Sequence, residues 1–215
     1  MPERAIWRAR TGQSVRFLLP VAIPSADMQA SVVVQELMNE PMRRLRDAAA
    51  DLIKVDQLNT ELREYLDEGV TLEDGCVYLS RELAVNSHLS RKKMGALGHQ
   101  SLVNKLHLED YLEEETPVRW DLWCVAQGVI FARAVLDAVA VLTSLPVDVV
   151  LTLDQGGTAP PGAERSTVSF NQDTEDFNVS VPSSTIRFYV RRDGDRWIDD
   201  DAIDEMFDVI MIVRA

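Results

Sequence analysis

A strand-like run that ends in an acidic, glycine-rich loop is the first place where residue types and spacing favour chemistry. Alternating apolar residues from Val149 to Leu153 lead directly into this loop. Glycine has no side chain, so its backbone amide can approach an anion closely, and a neighbouring carboxylate can hold a metal ion beside the phosphate. The candidate residues for a phosphate- or nucleotide-binding site are Asp154, Gly156, Gly157 and Thr158.

This loop loosely resembles the Asp-x-Gly-x-Thr phosphate loop of sugar kinases and their relatives. The resemblance would imply phosphate binding between two large domains, but only 61 residues follow Asp154, too few for such an architecture. The alternative is a surface loop between two antiparallel strands, with Pro160, Pro161 and Gly162 as turn residues. Because short motifs are weak alone, phosphate binding stands as the second hypothesis for this chain.

A locally basic stretch covers residues 81–105, where Glu82 is the only acid. Two short helices with Gly95 and Gly98 between or beside them would fit a helix-turn-helix that reads nucleic acid. The alternatives are a solvated helix face, a partner for the acidic segment 109–115, or a docking surface for an acidic protein. The candidate cations are Arg91, Lys92, Lys93 and Lys105.

Histidine and cysteine offer weaker signals. His99 and His107 lie near Glu109 and Asp110, but no compact helical spacing joins them, so no metal site is predicted. Cys76, in a predicted turn, has the side chain of a nucleophile if a histidine lies nearby, and otherwise is an ordinary turn residue. Cys124 lies in an apolar helix and is expected to be inert. No residue pattern identifies a cofactor.

The element that must position these residues is a long apolar helix predicted over residues 117–145. Thr116 suits its N-cap, Pro117 its first turn, and Pro146 its end. Its length would span a membrane, but Arg133 and Asp137 near the middle would each cost about 2.5 to 3.5 kcal/mol at the bilayer centre. A buried core helix is therefore expected, without membrane association.

The segment Met42–Leu66 has apolar residues at a seven-residue spacing, which predicts one helix that packs within the chain or in a short coiled coil. Intramolecular packing is the favoured outcome of the two. A preceding helix is expected to begin at Ser25 and to include Leu37. The candidate interface residues of a coiled coil are Leu45, Leu52, Val55 and Leu62.

Strand signals lie at both ends of the chain. Residues 5–22 and 70–80 predict hairpins, and four alternating apolar runs after Pro146 predict an antiparallel sheet with one wet face. On its polar face we place Arg187, Tyr189 and Arg191. Residues 199–213 predict either a last helix or a last strand. Together these patterns predict one α+β domain over residues 1–215, helix-rich over 24–145 and strand-rich over 146–215, with the N-terminal hairpin joining the sheet.

Composition narrows the function classes. A formal charge of −13 and a pI near 4.6 argue against general binding to nucleic acid or to anionic membranes. Two cysteines are too few for a disulfide framework, so a cytoplasmic location is expected. Without a convergent catalytic set, we expect a non-enzymatic subunit that binds a protein partner or copies of itself. Whether the chain is an enzyme is left open, because active sites assemble from distant residues.

Overall fold

A computed structural model describes residues 34–54, 57–112, 119–154, 183–192, 194, 196–206 and 208–215. Several sequence predictions lie outside these ranges. They are the N-terminal hairpin 5–22, the helix start at Ser25, the helix cap at Thr116 and Pro117, and the alternating runs 168–170 and 177–181.

Helices and strands are interspersed along the described chain. Short 3₁₀ helices cover Ala50–Leu52, Leu108–Tyr111 and Asp200–Glu205. The strands are β1 (Gln35–Met38), β2 (Val70–Glu73), β3 (Cys76–Leu79), β4 (Leu106–His107), β5 (Val147–Asp154), β6 (Ser183–Val190) and β7 (Val209–Arg214), and the α-helices are α1 (Glu40–Ala48), α2 (Thr60–Asp67), α3 (Ser80–Val85), α4 (Arg91–Val103) and α5 (Trp120–Leu142).

The predicted α+β architecture is confirmed. Five antiparallel strands form a sheet in the order β1-β7-β5-β6-β4, and β2 and β3 form a separate hairpin, as residues 70–80 predict. The alternating runs after Pro146 become β5 and β6, whose register pairs Val149 with Phe188. Side chains such as Leu151 and Val213 point from the sheet into a core that α5 covers.

The central helix α5 is a core helix, although its length and composition would suit a membrane span. It begins at Trp120, three residues later than predicted, and Arg119 is its N-cap residue. Arg133, in its middle, forms an ion pair with Glu36 of β1 at 2.8 Å. A Cβ on Gly128 would lie 2.8 Å from the methyl groups of Leu151, so glycine lets α5 approach β5 closely.

The predicted single helix over Met42–Leu66 is wrong. α1 ends at Ala48, and α2 starts afresh after Asn59, whose side chain accepts hydrogen bonds from the backbone amides of Glu61 and Leu62. A capping asparagine satisfies amide groups that have no partner at a helix start, so Asn59 begins a helix instead of continuing one. Leu37, predicted to be helical, lies in β1.

Both faces of the sheet are covered, so the predicted wet face is also wrong. Val150, Ile210 and Ile212 pack on the face remote from α5 against Ile198 and Ile203. The covering residues come from the Asp200–Glu205 helical turn and the segment before it. Residues 199–213 were predicted to form a last helix or a last strand, and each forms in part. The Asp200–Glu205 helical turn comes first, and the strand β7 follows it.

Two buried amides of α4 join the small hairpin to the large sheet. Gln100 Oε1 accepts hydrogen bonds from the backbone amides of Val77 in β3, at 3.0 Å, and of Val190 in β6, at 3.1 Å. Asn104, one turn later, binds both strands as well. α4 stops at Val103, just before Asn104, and the chain then leads into the short strand β4.

Candidate functional site

The predicted phosphate loop begins at the end of β5. Asp154 is the last residue of that strand and pairs in register with Ser183 of β6. Gly156, Gly157 and Thr158 lie outside the described residues. Phosphate binding by this loop therefore stays a prediction, and the strand that leads into it is confirmed.

The predicted basic stretch does not form one surface. Arg91 binds Asp74 at the hairpin turn, with 3.4 Å between Nη1 and the carboxylate and 3.2 Å between Nη2 and the backbone carbonyl. Lys92 and Lys93 are exposed in the first turn of α4, whereas Lys105 is half-buried beyond the other end of that helix. Nucleic-acid binding through these four cations stays a prediction without a continuous patch to support it.

The predicted interface residues contribute to the chain's own core. Leu45 and Leu62 are buried on α1 and α2, and Leu52 packs partly buried against the same cluster. Val55 lies outside the described residues. Intramolecular packing, which the spacing favoured, occupies these side chains, so a protein partner would need another surface.

Such a surface lies where α5 ends, and we call it the α5 apolar surface. Val141 is 66% exposed and Leu145 is 40% exposed, beside the exposed small residue Ala140. A shallow cavity of about 180 Å³ opens between the end of α5 and the start of β5, and Ala140 and Leu145, but not Val141, are among its lining residues. Its lining is largely apolar and includes Leu136, Val139, Pro146 and Val147.

Histidines and cysteines lie in separate polar clusters. His99 Nδ1 is 3.0 Å from the hydroxyl of Tyr78, whereas His107 Nδ1 is 3.0 Å from a carboxylate oxygen of Glu109. In the described part of the chain, no three His, Cys, Asp or Glu side chains are grouped to hold a metal ion. These pairs do not form a nucleophile and base with access to solvent.

Neither thiol is placed for reaction. Burial raises the pKa of Cys124 to about 12, and its sulfur lies 3.2 Å from Ser184 Oγ. A thiol with so high a pKa holds little reactive thiolate near neutral pH. Cys76 is fully buried, and Arg192 Nη2 lies 3.4 Å from its sulfur.

A pair of cations is the arrangement that sequence reasoning missed. Arg187 lies on β6 and Lys105 directly precedes β4, on neighbouring strands of the sheet. The signal for Arg187 was its place in an apolar alternating run. The signal for Lys105 was the basic stretch, but only the strand register brings the two together.

The family comparison covers nearly all of this architecture. A family model described as the Uncharacterized protein PM0498 family matches residues 37–215. The chain belongs to that family. The matched region runs from β1 to the end of the chain and includes both cations and the α5 apolar surface. No curated protein and no solved structure matches the chain.

Proposed function

We propose that this protein is a non-enzymatic interaction subunit of a cytoplasmic complex, and that the α5 apolar surface is where it binds a protein partner or a second copy. The observation that supports the proposal is the exposure of Val141 and Leu145 at the end of α5, where Leu145 also lines an apolar cavity. Fully burying a side chain of this size contributes about 1.5 to 3 kcal/mol. Two such residues and a cavity that accepts an apolar side chain resemble the anchor of a protein interface.

The surrounding chain supports a docking role for this surface. The first half of α5 is enclosed, with residues such as Cys124, Val129 and Phe131 buried in the core. Apolar exposure begins only in its last turns, so the exposed residues are not needed to hold α5 on the sheet. Asp137 lies in the second half of α5, and burial raises the pKa of its carboxyl.

Two valines allow a matched test. Val141 on α5 and Val85 on α3 are both 66% exposed, so replacing either by glutamate places a charge in water and should leave the fold intact. We expect Val141→Glu to lose the partner and Val85→Glu to keep it. The measurement is native mass spectrometry of each purified protein, followed by quantitative recovery of stoichiometric partners from cells that naturally produce it.

Each outcome decides the proposal. A second copy or stoichiometric partner retained by the wild type and Val85→Glu, and lost from Val141→Glu, would support it. Equal retention by both variants would show that the interface lies elsewhere. A wild-type protein that is monomeric and recovers no stoichiometric partner would overturn the interaction function itself.

A further inference from the structure

Arg187 is a half-buried cation without an anion beside it among the described residues. Its Nε is buried and has no hydrogen-bond partner, while its Nη2 donates to Thr185 Oγ1 at 3.4 Å. The ring of Trp197 covers the guanidinium, with 4.9 Å between the ring centroid and Cζ. Among the described residues no carboxylate pairs with Arg187, and burial lowers its pKa. Charges that are removed from water are normally paired with an opposite charge, so a bound anion would stabilise the Arg187 guanidinium.

Lys105 adds a second positive charge beside Arg187, so a bound anion would stabilise two cations. β4 and β6 pair Leu106 with Ile186, so extending the register by one residue places Lys105 opposite Arg187 on the same face. The pKa of Lys105 is lowered by burial and, next in size, by the charge of Arg187. Like charges directly opposite on neighbouring strands are destabilising. A chain that keeps two such cations together has a site in which an anion would stabilise both.

Two hydroxyls lie in the adjacent row of the sheet. Thr152 of β5 and Thr185 of β6 are register partners, and their Oγ1 atoms are 2.7 Å apart. One hydroxyl donates to the other, which leaves one of the two O–H groups available to donate elsewhere. A guanidinium, an ammonium and a free hydroxyl donor therefore lie in two neighbouring rows on one face.

The geometry points to a binding site for the phosphate group of a small phosphorylated ligand, formed by Arg187, Lys105, Thr152 and Thr185. We call it the Arg187 site. A phosphate monoester carries a charge of about −1.5 to −2 near neutral pH, which balances two cations, whereas a carboxylate balances one. Its several oxygens can also accept from the guanidinium, the ammonium and the hydroxyl together.

Glu109 carries the negative charge that acts on Lys105, but its carboxylate is bound by other residues. Glu109 weakly favours the charged form of Lys105, but its carboxylate already accepts from the backbone amide and hydroxyl of Ser184 at 2.8 Å, and it contacts His107. These bonds hold the carboxylate in place. The residues of the Arg187 site do not include those of the α5 apolar surface.

The test uses inorganic phosphate as probe and the full chain as protein. Binding is measured by isothermal titration and by the ³¹P line width of phosphate, at constant ionic strength. We expect Lys105→Gln and Arg187→Gln to weaken phosphate binding at least about tenfold, since each removes a charged donor. Lys54→Gln, which removes an exposed lysine outside the basic stretch, is the matched control and should bind as the wild type does. Acetate should bind the wild type at least about tenfold more weakly than phosphate.

The Lys105 variant keeps the test decisive if Arg187→Gln does not fold, because Lys105 is half-buried and forms no ion pair in the described residues. Phosphate binding that is lost in Lys105→Gln and kept in Lys54→Gln would support the site. Undetectable binding to the wild type, or equal binding by the two lysine variants, would overturn it. Acetate binding as tight as phosphate would overturn the assignment of a phosphate ligand.

Discussion

Replacing Asn104 by alanine should reduce the free energy of unfolding more than replacing Asn86, another asparagine, by alanine. The Asn104 side chain is buried between the edges of β3 and β6. Its amide nitrogen donates to the carbonyls of Val77, at 2.7 Å, and Phe188, at 3.0 Å, and its oxygen accepts from the amide of Leu79 at 2.9 Å. Asn104→Ala would leave three buried backbone groups without a partner, at about 1 to 3 kcal/mol each. We therefore expect a loss of at least about 3 kcal/mol in the free energy of unfolding.

The loss is large compared with the about 5 to 15 kcal/mol by which single domains are stable. Urea unfolding followed by far-UV circular dichroism would measure it as a lower midpoint with an unchanged slope. Asn86→Ala is the control, because Asn86 donates only to the carbonyl and carboxylate of Glu82 at the partly exposed end of α3, where water can replace it. If Asn104→Ala cost no more than Asn86→Ala, the two amides of α4 would not be what joins the hairpin to the sheet.

Three further changes test packing and charge. Gly128→Ala should destabilise by about 1 kcal/mol or more, because the new methyl group would press on Leu151 in the core. Gly98→Ala, whose new methyl group would lie 3.8 Å from the Met94 Cβ, should stabilise by about 0.5 to 1 kcal/mol; thermal unfolding of both variants compares them. A hydrogen bond from Arg214 lowers the pKa of Asp200, so this carboxylate stabilises the fold above its unfolded pKa of about 4 and loses that effect as pH falls through the lower folded value. Asp200→Asn should accordingly reduce stability at pH 7 and change it little near pH 2, as urea titrations over this range would show.

Hydrophobic periodicity predicted the described fold correctly where each pattern belonged to a single helix or strand. The alternation in β5 and β6 and the continuous apolar run of α5 were interpreted correctly because the alternating apolar residues of both strands pack with α5 in one core. The same reasoning failed over Met42–Leu66. Leu45 and Leu62 lie on two helices that both pack toward α5, so a regular spacing arose from two separate elements. The capping role of Asn59 was the signal against a single helix.

The second face of the sheet was predicted to be wet because its cover has no periodic signature. Ile198 precedes a short helical turn and Ile203 lies within it, and two apolar residues in a mostly acidic segment do not form a pattern. Once this face is known to be covered, the polar residues on it acquire a different meaning. Arg187 changes from a solvated side chain to a cation with a buried nitrogen that has no partner.

Lys105 and Arg187 could not be paired from the sequence, because 82 positions separate them and only the register of β4 against β6 makes them neighbours. Local patterns named each cation separately, Lys105 in the basic stretch and Arg187 on the polar face of a strand, but neither pattern linked the two. Yet a sheet that places like charges opposite each other contradicts the rule by which cross-strand pairs stabilise sheets. Natural sequences depart from such rules mainly at functional sites. The repulsion between these two cations is therefore a stronger indication of a ligand than either residue type alone.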